Sequence, residues 1–183
     1  MSACLDSLPA IEDALWQHLL QAVDDKAHPW RTPVLATTDG DIGDARTVVL
    51  READRDSATL RLYSDARSAK VAQLASHPVG TLVMWSPALG WQLRVRARLA
   101  VSTEGLEVSS RWARLKLSPA AHDYLSAQAP GTPLEATLAA RGERAHFALI
   151  DAQVQSIDWL ELHADGHRRA QFVLGATPCW LQP

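Results

Sequence analysis

Lysine is almost missing from this chain of 183 residues. Lys26, Lys70 and Lys116 are the whole supply, so 15 of the 18 basic residues are arginine. Arginine and lysine are not equivalent: the planar guanidinium suits bidentate contact with carboxylate or phosphate. Coding bias explains most such positions, and only their placement can single out a few. Cysteine is scarce as well. Cys4 and Cys179 lie near opposite ends without ligand spacing, which excludes a disulfide framework or a zinc site. Nine glycines occur and none cluster. There is no G-x-G-x-x-G after a strand, no phosphate-cradling glycine loop before Lys-Ser/Thr, no H-E-x-x-H and no G-x-S-x-G. No apolar run approaches the roughly 20 residues that span a bilayer. Met1 to Asp6 lacks the basic-then-apolar pattern of a secretory signal. A net charge of -3 without a basic run argues against nucleic acid as a partner. The expectation is a soluble, cytoplasmic protein with no membrane, nucleic-acid or metal partner.

What is present suits a real core. With 47% hydrophobic residues and no internal repeat or linker, residues 1–183 read as one domain. Ser7 to Val23 carries Ile11, Leu15, Leu19 and Ala22 at helical spacing, with Ser7 as cap and Pro9 in the first turn. A β-rich block follows: Pro33–Thr38, Ala45–Glu52, Thr59–Ser64, Val79–Trp85 and Gly90–Ser102, with a helix over Ala66–Ser76. In Gly90–Ser102, Leu93, Val95, Ala97, Leu99 and Val101 alternate with Gln92, Arg94, Arg96 and Arg98. A helical insert is predicted next, over Leu106–Leu115, Pro119–Leu125 and Leu134–Arg141. The end returns to strands at His146–Leu162, Arg168–Leu174 and Cys179–Leu181. Strand and helix alternate too irregularly for a doubly wound sheet, so the fold class is α+β, mainly β, built on a closed or partly open barrel. His163 and His167 have ligand-like spacing, but Asp165-Gly166 between them predicts a hairpin turn instead.

Three segments could carry chemistry. Arg46-Thr47-Val48-Val49-Leu50-Arg51 is a strand bracketed by arginines, in which Arg46, Val48 and Leu50 share one face. Tyr63-Ser64-Asp65-Ala66-Arg67-Ser68-Ala69-Lys70 runs from a strand end into a helix start. Hydroxyls and basic groups there form an anion site, since free N–H groups and the helix dipole both favour phosphate. Trp85-Ser86-Pro87-Ala88-Leu89-Gly90-Trp91-Gln92 is a turn that delivers an amide side chain to an alternating strand.

In this order, the three segments resemble the pyridoxamine 5′-phosphate oxidase-like family of FMN-binding split barrels. The likeness extends from Pro33 to Gln128 and, more weakly, from Ile157 to Phe172. It implies a six-stranded split barrel with peripheral helices and a helical insert, and a homodimer with FMN at the subunit interface. By that resemblance Arg46, Thr47, Val48, Val49 and Leu50 line the flavin, while Tyr63 and Ser64 match a Tyr-Thr pair. Lys70 matches the second of two basic residues that hold the FMN phosphate. Ala69 stands at the first, and Arg67 is the candidate substitute, beside Ser68. Gln92 and Gln128 match glutamines at the flavin, the latter from the insert.

Departures are concentrated at the substrate side. Arg111 to Ser118 offers basic groups but lacks the family's Tyr, Arg and Ser pattern for substrate phosphate. Leu160 replaces a flavin-strand tryptophan, and Gln171 an FMN-binding arginine. Arg51 stands in for a substrate-contacting lysine, while Arg168 and Arg169 occupy the region of an Arg-x-His-x-Arg motif. The resemblance therefore implies an FMN-dependent oxidoreductase with a diverged substrate site. The alternatives are an authentic pyridoxamine/pyridoxine 5′-phosphate oxidase with rearranged substrate residues, a non-catalytic flavin-binding or sensing protein, or a domain that has lost its ligand.

Overall fold

The computed structural model describes residues 5–133 and 146–183. The predicted helix at Leu134–Arg141 and Cys4 lie outside these residues. Helix α1 spans Leu8–Asp24, and the Ser7 hydroxyl accepts the Ala10 N–H at 3.4 Å. Its predicted stripe is buried. The last carbonyls of α1 do not go unsatisfied: the Arg31 guanidinium donates to Ala22 O and Val23 O. A single turn of 3-10 helix at Pro29–Arg31 then leads into the sheet.

Nine strands form one antiparallel sheet among the described residues. They are β1 (Val34–Thr38), β2 (Gly43–Thr47), β3 (Leu50–Asp54), β4 (Thr59–Asp65), β5 (Val79–Ser86), β6 (Trp91–Ser102), β7 (Phe147–Glu161), β8 (Arg168–Val173) and β9 (Cys179–Leu181). The order is β2-β1-β5-β6-β7-β4-β3, with β8 and then β9 branching from β7. Helix α2 (Ala69–Ser76) joins β4 to β5, and the insert carries α3 (Leu106–Leu115) and a 3-10 stretch at Pro119–Tyr124.

Strand β7 divides its outer edge. Residues 147–153 pair with β4, residues 156–161 pair with β8, and β6 runs along the other edge throughout. The register with β6 shifts between Arg96 and Ala97, opposite Ser156 and Val154. A bulge of this kind adds twist and ends one pairing so that another can begin. The end strands β2 and β3 do not pair with each other among the described residues, so the sheet stays open.

The mainly β reading with peripheral helices holds, and three boundaries move. The predicted strand Ala45–Glu52 is two strands: the Val48 N–H makes the last bond of the β1 ladder, to Pro33 O at 2.9 Å, and Pro33 has no N–H to return one. Arg46 and Leu50 thus belong to strands at opposite ends of the sheet order. Helix α2 begins at Ala69 rather than Ala66, since Asp65 first closes a turn by accepting the Arg67 N–H on its carboxylate and the Ser68 N–H on its carbonyl. Pro119–Tyr124 is a 3-10 segment rather than an α-helix.

The inner face buries Leu93, Val95, Ala97 and Leu99 of β6, as the alternation predicts, against Leu35, Leu82 and Met84. At one end Trp30, Trp91 and Trp159 pack together, with Trp91 edge-on to Trp159 at 5.4 Å. Two histidines abut this group. Trp30 N–H donates to His28 Nδ1, so in the neutral ring the proton sits on Nε2, which donates to His18 Nδ1 at 3.4 Å. Burial lowers both histidines below their ordinary pKa, against a hydrogen bond from Gln21 at His18; at His28 the His18 ring lowers it further and Asp25 opposes. No helix among the described residues is long and apolar enough to cross a membrane.

A depressed histidine pKa stabilises the fold above the unfolded value of about 6.5 and loses that contribution as pH falls below it. The melting temperature should therefore drop between pH 7 and pH 5. His18→Phe, which keeps a ring against Trp30, should flatten that drop. An equally steep acid limb in the variant would remove the histidine pair as its cause.

Candidate functional site

Strand β4 ends where the buried Ser64 enters the turn to α2. The Ser68 hydroxyl does not cap α2. It lies 3.1 Å from Ser64 Oγ, which in turn accepts from Lys70 Nζ at 3.2 Å. The first N–H groups of α2 are thereby left without a side-chain cap. Arg46 reaches the same place from β2. Its register partner is the buried Leu35, so the side chain lies on the inner face of the sheet. It donates to Leu35 O at 3.3 Å, to Thr37 Oγ1, and to Gln73 Oε1 at 3.2 Å, and it pairs with Asp44.

Two cations and two hydroxyls therefore converge on a helix start. Burial lowers the Lys70 pKa below its ordinary value, and the nearby Arg46 charge lowers it further, against opposing pulls from Asp65 and Asp44. Lys70 forms no ion pair among the described residues. An anion with several oxygens would relieve this repulsion and take up the free donors. Thr37, Asp44 and Gln73 were not predicted to take part. Only Gln73 had a sequence signal: it lies three residues beyond Lys70, on the same helical face.

The remaining predicted residues are distributed around this cluster. The Arg67 guanidinium is held bidentately by Asp65, with Nε to Oδ1 at 3.0 Å and Nη2 to Oδ2 at 2.7 Å. It also donates to Ser126 O at 3.0 Å and Ala127 O at 3.2 Å. Burial pushes the Asp65 carboxyl up, but the Arg67 side chain and N–H outweigh it and hold the group below the usual carboxylate range. Gln128 follows directly, with its Oε1 buried and unpartnered among the described residues. Thr47 sits exposed at the end of β2, Val48 and Leu50 are buried in the core, and Val49 is half-buried between them. Gln92 lies on β6 between Trp85 and Leu160, and no hydrogen bond among the described residues joins it to the cation cluster.

Tyr63 is engaged elsewhere. Its hydroxyl donates to Glu52 Oε1 at 3.0 Å, its ring packs edge-on to Phe147, and the Arg51 guanidinium lies 5.4 Å above it. Burial, and next the Glu52 charge, push the phenol up to about 12. Glu52 also receives Arg111 Nε at 2.8 Å and Nη2 at 2.9 Å from α3, together with Arg61 Nη1 at 3.0 Å. Arg61 continues the network to Glu107 at 2.8 Å and to Asp151. This network, which ties the insert to β3, β4 and β7, carried no signal in the sequence. Arg168 and Arg169 are likewise committed, to Glu161 at 2.6 Å and Asp158 at 2.7 Å, and Asp158 also holds Arg94.

Among known proteins, residues 13–103 match the sequence model described as pyridoxamine 5′-phosphate oxidase, FMN-binding domain. No curated protein matches the sequence. A pyridoxamine 5′-phosphate oxidase-related, FMN binding protein from Nostoc punctiforme PCC 73102 superposes with a TM-score of 0.72 at 21% identity, covering 97% of this chain and 100% of that one. PhzG from Burkholderia lata 383, solved with tetrahydrophenazine-1-carboxylic acid, gives 0.74 at 15% identity over 97% and 94%. A heme binding protein from Mycobacterium smegmatis gives 0.53 at 16% identity over 85% and 57%. At these identities the structural likeness establishes the fold.

The insert network predicts a measurable contribution to stability. Arg111 binding to Glu52 is the main cause that holds this carboxyl below its ordinary range, against burial, so its contribution is present above about pH 4.3 and is lost as pH falls further. Glu52→Ala should lower the unfolding free energy by about 1 kcal/mol, the modest value of a half-exposed pair, and less in high salt. Urea unfolding at two ionic strengths tests this, and an unchanged midpoint would show that the network is energetically idle.

Proposed function

From a chain that resembles the pyridoxamine 5′-phosphate oxidase-like FMN-binding proteins in sequence over residues 13–103 and shares their fold, we propose an FMN-binding oxidoreductase with a diverged substrate site. The observation that carries this reading is the Lys70 ammonium, half-buried beside Arg46 and two serine hydroxyls with no carboxylate paired to it among the described residues. Arg46, Ser64, Ser68 and Lys70, with the start of α2, hold the FMN phosphate. A dianion is the group that this arrangement lacks. When bound, the flavin supplies the hydride or electron transfer, and the protein binds and orients it. Thr47, Val48, Val49 and Leu50, where the chain crosses from β2 to β3, would line the flavin. Gln92 and Gln128 approach it from β6 and from the insert.

A second copy of the chain completes the cleft. On the outer face of β1 and β5, Val34, Val79 and Trp85 are exposed, beside Arg96 and Arg98 of β6. A groove of about 360 Å³ along these strands is lined by Ala36, Thr81 and Arg96. An apolar face with arginines at its margin suits a homodimer contact. In the same reading residues 1–183 work as one cytoplasmic domain. The substrate differs from pyridoxamine phosphate, because Arg168 is held by Glu161 and Arg169 by the Asp158 that it shares with Arg94, which leaves fewer donors for a second phosphate. Arg51 remains a candidate substrate contact, since its Nε is buried without a partner among the described residues.

The absorption spectrum of the purified protein separates flavin bands from a heme Soret band or no chromophore. FMN should quench on titration with the apoprotein. Lys70→Ala should weaken FMN by about 1.5–3 kcal/mol, roughly 10- to 150-fold, and leave riboflavin, which has no phosphate, unaffected. Absence of any FMN binding to the wild-type chain overturns the reading.

A further inference from the structure

Arg67 stands one turn before Lys70 and is the residue that sequence reasoning nominates as a second phosphate ligand. Its surroundings describe another task. Four of its five N–H donors are occupied: two by the Asp65 carboxylate and two by the carbonyls of Ser126 and Ala127. Asp65 itself is buried at 6% exposure. Turning Arg67 toward a phosphate would strand that carboxylate without its partner, and an unpaired buried charge is strongly destabilising. It would also place two anions side by side. The pair is electrically neutral, as is Arg46 with Asp44, which leaves Lys70 as the cation of the site without a carboxylate partner among the described residues.

We propose that Arg67 is a positioning residue: anchored on Asp65, it latches the loop that follows Tyr124 at Ser126–Ala127 and so sets Gln128 at the mouth of the flavin site. This rests on the FMN-binding reading. The insert packs on the sheet through Val108, Leu115 and Tyr124 against Phe147 and Leu149, and charged groups tie it at two further places. Its outgoing helix α3 is fixed through Arg111 to Glu52 on β3. Its return, after Tyr124, is fixed by Arg67 alone among the charged groups described. The Ser126 hydroxyl accepts the Gln128 N–H at 3.2 Å, so the backbone turn that the latch holds is the one that carries Gln128. A cleft of about 290 Å³ opens beside it, lined by Asp65, Asp123, Ser126 and Gln128. Lysine could keep the pair with Asp65, but its compact ammonium cannot span a carboxylate and two carbonyls at once.

The test compares wild type with Arg67→Ala, Arg67→Lys, Asp65→Asn and the double variant Asp65→Asn/Arg67→Ala. Limited trypsin cleavage after Arg114 and Lys116 in the apoprotein reports the insert, and titrations with FMN and riboflavin report the site. A latch predicts that every variant is cut faster, about tenfold for Arg67→Ala, and that the double variant is no worse than either single one. It also predicts that FMN and riboflavin weaken by the same factor, because the effect comes through Gln128 and not through the phosphate. Arg67→Lys, which keeps the charge pair and the fold, should still show the released insert. The opposite pattern overturns the proposal: unchanged cleavage, FMN weakened while riboflavin is not, and FMN tightened by Asp65→Asn as the guanidinium is freed. If the wild-type chain binds no flavin, the proposed function fails, while the cleavage series on the apoprotein still decides whether the latch exists.

Discussion

The molecule is organised around β7, a strand of 15 residues that serves two different neighbours on one edge. Its upper half carries β4, and with it Ser64 and the turn into α2. Its lower half carries β8, and with it Arg168 and Arg169. Strand β6 spans both halves and absorbs the change of partner in a one-residue shift opposite Ser156. Every backbone donor in a sheet must find an acceptor, so a strand that switches neighbours has to do so at a defined place. That place separates the half that carries Ser64 and Lys70, whose charge has no carboxylate partner among the described residues, from the half in which Arg168 and Arg169 meet Glu161 and Asp158.

Charge pairing tells the same story. Arginine is abundant, yet most of the arginines described here are spoken for: Arg61 and Arg111 by Glu52, Glu107 and Asp151, Arg94 and Arg169 by Asp158, Arg168 by Glu161, Arg67 by Asp65, Arg46 by Asp44 and Arg55 by Asp13. These pairs staple strands to one another and the insert to the sheet. Against that background Lys70, one of only three lysines, stands out because its charge is left over. Functional sites often coincide with charge that the fold itself does not satisfy. The proposed phosphate position is where structural pairing stops.

Much of the architecture was legible because it is local. The stripe of α1 and the alternation of β6 follow from helical and strand periodicity, and burial matches them residue by residue. Ser64, Ser68 and Lys70 were identifiable together because they fall within one strand-to-helix junction, where spacing in sequence is nearly spacing in space. The break at Val48 was not legible. Nothing in Ala45–Glu52 distinguishes one strand from two; the ladder ends where Val48 donates to the carbonyl of Pro33, fifteen residues back, which has no N–H to give in return.

By itself, then, the sequence determined the kind of fold, the helix and strand faces, and the short motif at the start of α2. All of these depend on neighbours within a few residues. Only the tertiary structure decided which charges cancel. Tyr63 and Arg67 look alike on paper as flavin ligands, but Glu52 and Asp65 occupy them both. Arg46 and Lys70, 24 positions apart, are brought into one field by β2 and α2 meeting over β1. Coulomb interaction falls with distance in space and takes no account of distance along the chain, so the pairing of ions is settled only when the chain has folded.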